Sequence, residues 1–208
     1  MNTKVSKNAK SEPTDSASLP LADLMNRLSN EAIALGREWA LFTSLYFDER
    51  ASRTIYERGP LVHGILHRVL QRDLGLLVAR LGDPAATTVR GSQRDNITVK
   101  ALQESLKREV KDIPRSDWEA FQTAVDQFLA IADGFRSGRN RLLAHLDHLT
   151  ATGADPVTLP PLEKTGQATE ALKRVIDAAR QCRLRQACSW PRYSETCRVQ
   201  REAEPCSV

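Results

Sequence analysis

The sequence predicts an all-α fold, a helical bundle of about five helices. Apolar residues recur near a 3.6-residue period in several long stretches. Hydrophobic residues make up 41% of the chain but aromatics only 5%, so Leu, Ala, Val and Ile must fill the core. That composition suits helix packing better than a β-sandwich. No segment reads as a strand, and 208 residues fit one domain.

Residues 1–17 read as a disordered arm, rich in Ser, Thr, Asn and Lys with Pro13. A first helix starts near Ser18 or Pro20 and carries Leu21, Leu24, Leu28, Ala32, Leu35, Trp39 and Phe42 on one stripe. Gly36 weakens it without ending it. Residues 43–60 form a less regular bridge, in which Thr43 to Asp48 can extend the first helix, and Gly59-Pro60 punctuates the chain. Leu61 to Leu81 is a second strong helix with a broad apolar stripe: Val62, Ile65, Leu66, Val69, Leu70, Leu74, Leu77, Val78 and Leu81. Gly82-Asp83-Pro84 stops it, and residues 85–97 read as a loop.

Asn96 looks like the N-cap of a short helix from Ile97 to Val110, stopped near Pro114. Ser116, with Glu119 three residues later, reads as a capping box opening the next helix. Trp118, Phe121, Val125, Phe128, Leu129 and Ala132 follow at helical spacing. That helix ends or bends between Gly134 and Gly138, and residues 139–149 restart it. A loop over 150–165 contains Pro160-Pro161. A last helix runs from Gly166 to about Arg185 with Ala168, Ala171, Leu172, Val175, Ile176 and Ala179. The domain is therefore expected over 18–186, with a flexible tail over 187–208.

Thirty basic and 26 acidic residues give a net charge of +4. This bias permits a nucleic-acid partner without requiring one, because clustering matters more than the total. No secretory segment is read at the polar N-terminus, and no apolar run approaches the ~20 residues that span a bilayer. No membrane contact and a cytoplasmic location are expected. Cys182, Cys188, Cys197 and Cys206 contain no CxxC pair, and no histidine follows them. A zinc site is not expected. In a cytoplasmic chain these thiols stay free, while a disulfide-stapled tail belongs to another compartment. His63 and His67, four apart, have a spacing that can seat a metal, but no third ligand stands nearby in sequence; surface or core-edge histidines are the expectation.

The chemistry concentrates in Arg139-Asn140-Arg141-Leu142-Leu143-Ala144-His145. Arg136 precedes it, and Asp147 and His148 follow. A helix start offers outward N–H groups to anions, and the neighbouring arginines would make a phosphate seat. Arg141 and His145 share a helix face. Arg139 and His145 are six apart, roughly 120° around a regular helix, so they converge only if the chain bends near Gly138. The plain structural alternative is solvated arginines and a half-buried histidine on a backbone carbonyl.

The pattern Arg-Asn-x-x-x-Ala-His-x-Asp resembles the signature of the HEPN superfamily, an Arg and a His separated by four to six residues. The wider layout is similar to its abortive-infection AbiU-like branch. Leu77-Val78-Ala79-Arg80-Leu81-Gly82-Asp83 ends a long helix. A loop leads to Asn96-Ile97-Thr98-Val99-Lys100-Ala101-Leu102, then comes the motif, and a Pro-containing loop precedes a final amphipathic helix. The resemblance spans roughly 20 to 185.

It implies a bundle that often dimerises and in many members cleaves RNA without metal or cofactor, as a toxin or in phage defence. Arg139, Asn140 and His145 match the catalytic positions. His145 would act as base or acid, Arg139 would neutralise the phosphoryl group, and the ends would be 2′,3′-cyclic phosphates. Arg136, Arg141, Asp147, His148 and Arg80 would contact RNA. A homodimer and an antitoxin protein are the further partners implied. The alternative is a non-catalytic HEPN module that dimerises and binds RNA or a nucleotide. HEPN toxins paired with a nucleotidyltransferase often carry a tyrosine two residues after the histidine. Asp147 stands there, so modification by such a partner is not supported. Arg80 and Asp83 could line a cleft, though a helix-terminal salt bridge or loop cap is the expected role.

Overall fold

The computed structural model describes residues 19–89, 92–145 and 160–188, with side chains over 19–88, 93–140 and 160–184. Among them are six helices and one hairpin: α1 (Leu21–Tyr46), α2 (Glu49–Arg58), α3 (Pro60–Leu81), β1 (Ala86–Val89), β2 (Ser92–Asp95), α4 (Val99–Glu109), α5 (Arg115–His145) and α6 (Leu162–Cys188). The all-helical expectation holds. The N-terminal arm and nearly all of the expected tail lie outside the described residues. Among those described, no helix is long and apolar enough to cross a membrane.

α5 and α6 form the central pair, with α3 packed on α5 and α1 on both α6 and α3. Phe121, Phe128 and Phe135 line the inward face of α5 at helical spacing, and each is buried. They meet Leu28, Leu35 and Phe42 of α1, Leu74, Val78 and Leu81 of α3, and Leu172 and Val175 of α6 in one core. Burying a side chain of this kind stabilises the fold by ~1.5–3 kcal/mol.

Several local expectations are corrected. The bridge over 43–60 contains a true helix, α2. Asp48 caps it by accepting from the Ala51 N–H at 2.8 Å, and Arg53 pairs with Glu57 one turn on. It buries no residue, so apolar periodicity could not reveal it. The loop over 85–97 contains an antiparallel hairpin, Ala86 opposite Asp95 and Val89 opposite Ser92. Asn96 does not cap α4. Its side chain donates to the Pro84 carbonyl and its N–H to that of Ala85, tying the hairpin neck. Thr98 is the cap, accepting from Ala101 N–H at 3.2 Å.

The capping box at Ser116 is also not formed as expected. α5 begins one residue earlier, and Glu119 accepts from Arg115 Nε at 2.7 Å. α6 starts at Leu162, just after Pro160-Pro161, and takes Gly166 inside it. There Trp39 packs so close that an added Cβ would lie 3.0 Å from its ring. Finally, α5 neither ends nor breaks at Gly134 or Gly138; it is one helix of 31 residues reaching His145.

Candidate functional site

The arginines expected to seat a phosphate lie where the C-terminal end of α3 meets the far half of α5, within a continuous helix and not at the helix start that was expected to offer its N–H groups. Gly82 follows α3 directly. A Cβ there would lie 2.6 Å from that of Ala132, so only glycine lets the two helices approach this closely. The close approach delivers Asp83 onto the arginines of α5. Asp83 Oδ2 accepts from Arg139 Nη1 at 2.7 Å and Oδ1 from Arg139 Nη2 at 3.0 Å. This is a two-pronged pair joining residues 56 apart in sequence. Both side chains are mostly withdrawn from solvent, at 19% and 21% exposure, which strengthens the pairing relative to a surface bridge.

Arg136, one turn earlier, brings Nε to 3.5 Å from Asp83 Oδ1 and Nη1 to 3.4 Å from Asp133 Oδ1. Its Nε is buried and makes no hydrogen bond among the described residues. Asn140 Oδ1 accepts from Arg139 Nε and Nη2, both at 3.3 Å. Two guanidinium groups thus converge on one inner carboxylate.

The other expected residues divide. Arg80 points to a different neighbour: its Nη2 donates to Glu31 Oε2 of α1 at 2.6 Å, and it stays 58% exposed. Its carbonyl accepts from the Asp83 N–H at 3.1 Å, but its guanidinium pairs with Glu31 and not with the Asp83 carboxylate. Arg141 and His145 belong to α5, but their side chains lie outside the described residues, as do Asp147 and His148 entirely. Because α5 does not break, the positions of Arg139 and His145 are separated by roughly 120° and ~9 Å along a regular helix. α5 runs on through Gly138 as one continuous helix, so no break there brings the two positions together.

His63 and His67 face aromatic rings. His63 Nε2 lies 3.1 Å from Ser52 Oγ, and Tyr46 Oη donates to the His63 carbonyl at 3.2 Å. The Tyr46 ring stands near both imidazoles, and Phe42 contacts His67. Burial, then the charge of His63, lowers the His67 pKa. Among the described residues no three His, Cys, Asp or Glu come together as metal ligands. Cys182 is buried and unbridged. Its thiol pKa is raised by burial and by Asp117, against a smaller lowering by a backbone hydrogen bond. A groove of about 560 Å³ between α1 and α6 is lined by Ile33, Gly36 and Ile176 together with Arg37, Lys173 and Arg180. None of the expected site residues lines it.

Asp83, read from the sequence as a possible cleft residue or a helix-terminal salt bridge, forms a salt bridge with Arg139, a partner the sequence did not name. Nothing in the local pattern couples it to a residue 56 positions away. Its signal was the Gly-Asp-Pro stop, which reads equally well as a plain loop.

No curated protein and no solved structure matches the chain. A family model described as AbiU2, within the HEPN group, matches residues 18–194. That span takes in every described helix, the Asp83 turn and the Arg139-Asn140…His145 motif, and so the chain belongs to the AbiU2 family of HEPN domains, a family related to abortive infection.

Proposed function

We propose that this chain is a metal-independent endoribonuclease of HEPN type, acting in the cytoplasm as a toxin or phage-defence protein. The observation that carries the reading is Arg139. Its guanidinium is half-buried, held from behind by Asp83, and sits at the head of the family motif. In the reaction a ribose 2′-oxygen forms a bond to the adjacent phosphorus while the bond to the 5′-oxygen breaks. One imidazole takes the 2′-hydroxyl proton and a protonated group returns one to the leaving oxygen. His145 has the side chain suited to either role near neutrality. Arg139 balances the charge growing on the equatorial oxygens. The products are a 2′,3′-cyclic phosphate and a free 5′-hydroxyl.

A homodimer fits this chemistry, because α5 separates Arg139 and His145 within one copy, whereas two facing copies could pair them across a shared cleft. Light scattering on the purified chain would give twice the monomer mass; a monomer at assay concentration would reject the shared cleft. An antitoxin protein is the further partner proposed.

The same separation favours a second reading, a non-catalytic module that binds RNA or a nucleotide. One experiment divides them. Wild type, Arg139→Ala and His145→Ala are incubated with RNA in EDTA, and ends and binding are both read. Cleavage by wild type alone supports the nuclease. Equal cleavage by all three, or none without added metal, rejects it. Binding that survives His145→Ala without any cleavage supports the module.

A further inference from the structure

We propose that Asp83 is the positioning residue of this site, fixing Arg139 by one end so that its other edge, which bonds the Asn140 amide oxygen, is presented to a phosphate. The inference rests on the RNA-binding reading above and goes beyond it to Asp83, which lies outside the motif.

A guanidinium has two distinct ways to grip an anion: end-on through both Nη atoms, or side-on through Nε and one Nη. In Arg139 the two are occupied differently. The end-on pair goes to Asp83 at 2.7 and 3.0 Å, to a carboxylate on another element and mostly withdrawn from solvent. The side-on pair goes to one amide oxygen of Asn140 at 3.3 Å for both bonds, on an exposed side chain next in sequence. The first interaction is charged, short and anchored by the close Gly82 contact. The second is neutral, long and local. An entering phosphate therefore displaces Asn140 rather than Asp83, since charge-assisted bonds are roughly twice as strong as neutral ones.

Orientation is the benefit. A free arginine has many rotamers, and ordering it on binding is costly. Asp83 fixes the planar group before the ligand arrives. It does so without fully neutralising Arg139, because the same carboxylate is shared with Arg136 at 3.5 Å, which also pairs with the exposed Asp133 at 3.4 Å. Asn140, released by the phosphate, is then placed to donate its amide N–H₂ to a second ligand oxygen.

The test uses the full chain and a fluorescein-labelled oligoribonucleotide in EDTA. Single-turnover cleavage and anisotropy binding are measured for wild type, Asp83→Asn, Arg139→Ala and the double variant, with a thermal melt of each. Misplacing a reacting group by about 1 Å costs roughly a hundredfold. Asp83→Asn is expected to lower the cleavage constant roughly tenfold to a hundredfold. Its binding should weaken far less, because a negative charge has also been removed. Adding Asp83→Asn to Arg139→Ala should cost nothing more, since the two act as one unit.

Cleavage by Asp83→Asn at the wild-type rate overturns the proposal. So does a loss that simply multiplies with that of Arg139→Ala, or one that tracks a collapsed melt. If wild type binds but does not cleave, the nuclease reading fails separately. The same four proteins then decide the positioning role from binding alone, with non-additive losses supporting it and additive losses overturning it. If wild type neither binds nor cleaves, both readings fall.

Discussion

The two ends of α3 are built from similar sequence and end in different environments. Leu74, Val78, Ala79 and Leu81 are sealed in the core at the C-terminal end. At the N-terminal end Leu61, Val62, Ile65, Leu66 and Val69 are exposed, between 39% and 74%. The polar groups differ as well. The N-terminal end carries His63 and His67 against Tyr46, Phe42 and Ser52, in ring contacts and hydrogen bonds. The other end delivers Asp83 to two arginines. Two histidines one turn apart look more chemical than a lone aspartate after a glycine. The surroundings reverse that impression: rings make the histidines part of the packing, and guanidinium groups make the aspartate part of a site.

The sharpest way to break this comparison is to cut the same helix at both ends. Leu74→Ala should lower unfolding free energy by about 2–5 kcal/mol, while Ile65→Ala should cost less than about 1 kcal/mol. Urea denaturation measures both, and equal losses would mean that the outer half is packed after all.

The next effect concerns the turn. Gly82→Ala places a methyl 2.6 Å from Ala132 Cβ and should cost about 1–3 kcal/mol. Adding Ala132→Gly removes the clashing methyl and should recover part of the loss. If the second change only adds to the first, the close approach is not what glycine provides.

The smallest effect sharpens the histidine end. His67 has a folded pKa below its ordinary value of 6.5, through burial first and then His63. As pH falls, the unfolded chain therefore takes up this proton before the folded one. The stabilisation is present above about 6.5 and is lost as pH drops toward the folded value. The melting temperature of wild type should fall between about pH 7 and pH 5, and the fall should be shallower in His67→Phe. Parallel curves would show that His67 is not the group responsible.

The long apolar helices were legible because burial and period coincide in them: Leu21 through Phe42, and Phe121 through Ala132, lie in the core where their spacing put them. α2 was not legible, because a helix that buries nothing leaves no apolar trace and shows only a cap at Asp48 and an Arg53–Glu57 pair. The hairpin was hidden by short polar strands, Ala86–Val89 and Ser92–Asp95, without clear alternation. Gly134 and Gly138 suggested a break because glycine weakens helices locally. Phe128, Ala132 and Phe135 packing around them outweighs that preference. Of the site, the arginine was readable from its motif. Asp83 was readable as a possible cleft residue or salt bridge, but its pairing with Arg139 was not, since that depends on how two helices meet.

The unbroken α5 makes the angular phase of Arg139 a property of the core. Phe135 anchors the rod one turn below, and Asp83 accepts only one azimuth. Inserting a single residue between them would rotate the guanidinium by about 100° and carry it past the carboxylate, although Phe135 and the core side chains before it would keep their places. The length of this stretch is therefore as constrained as its residues.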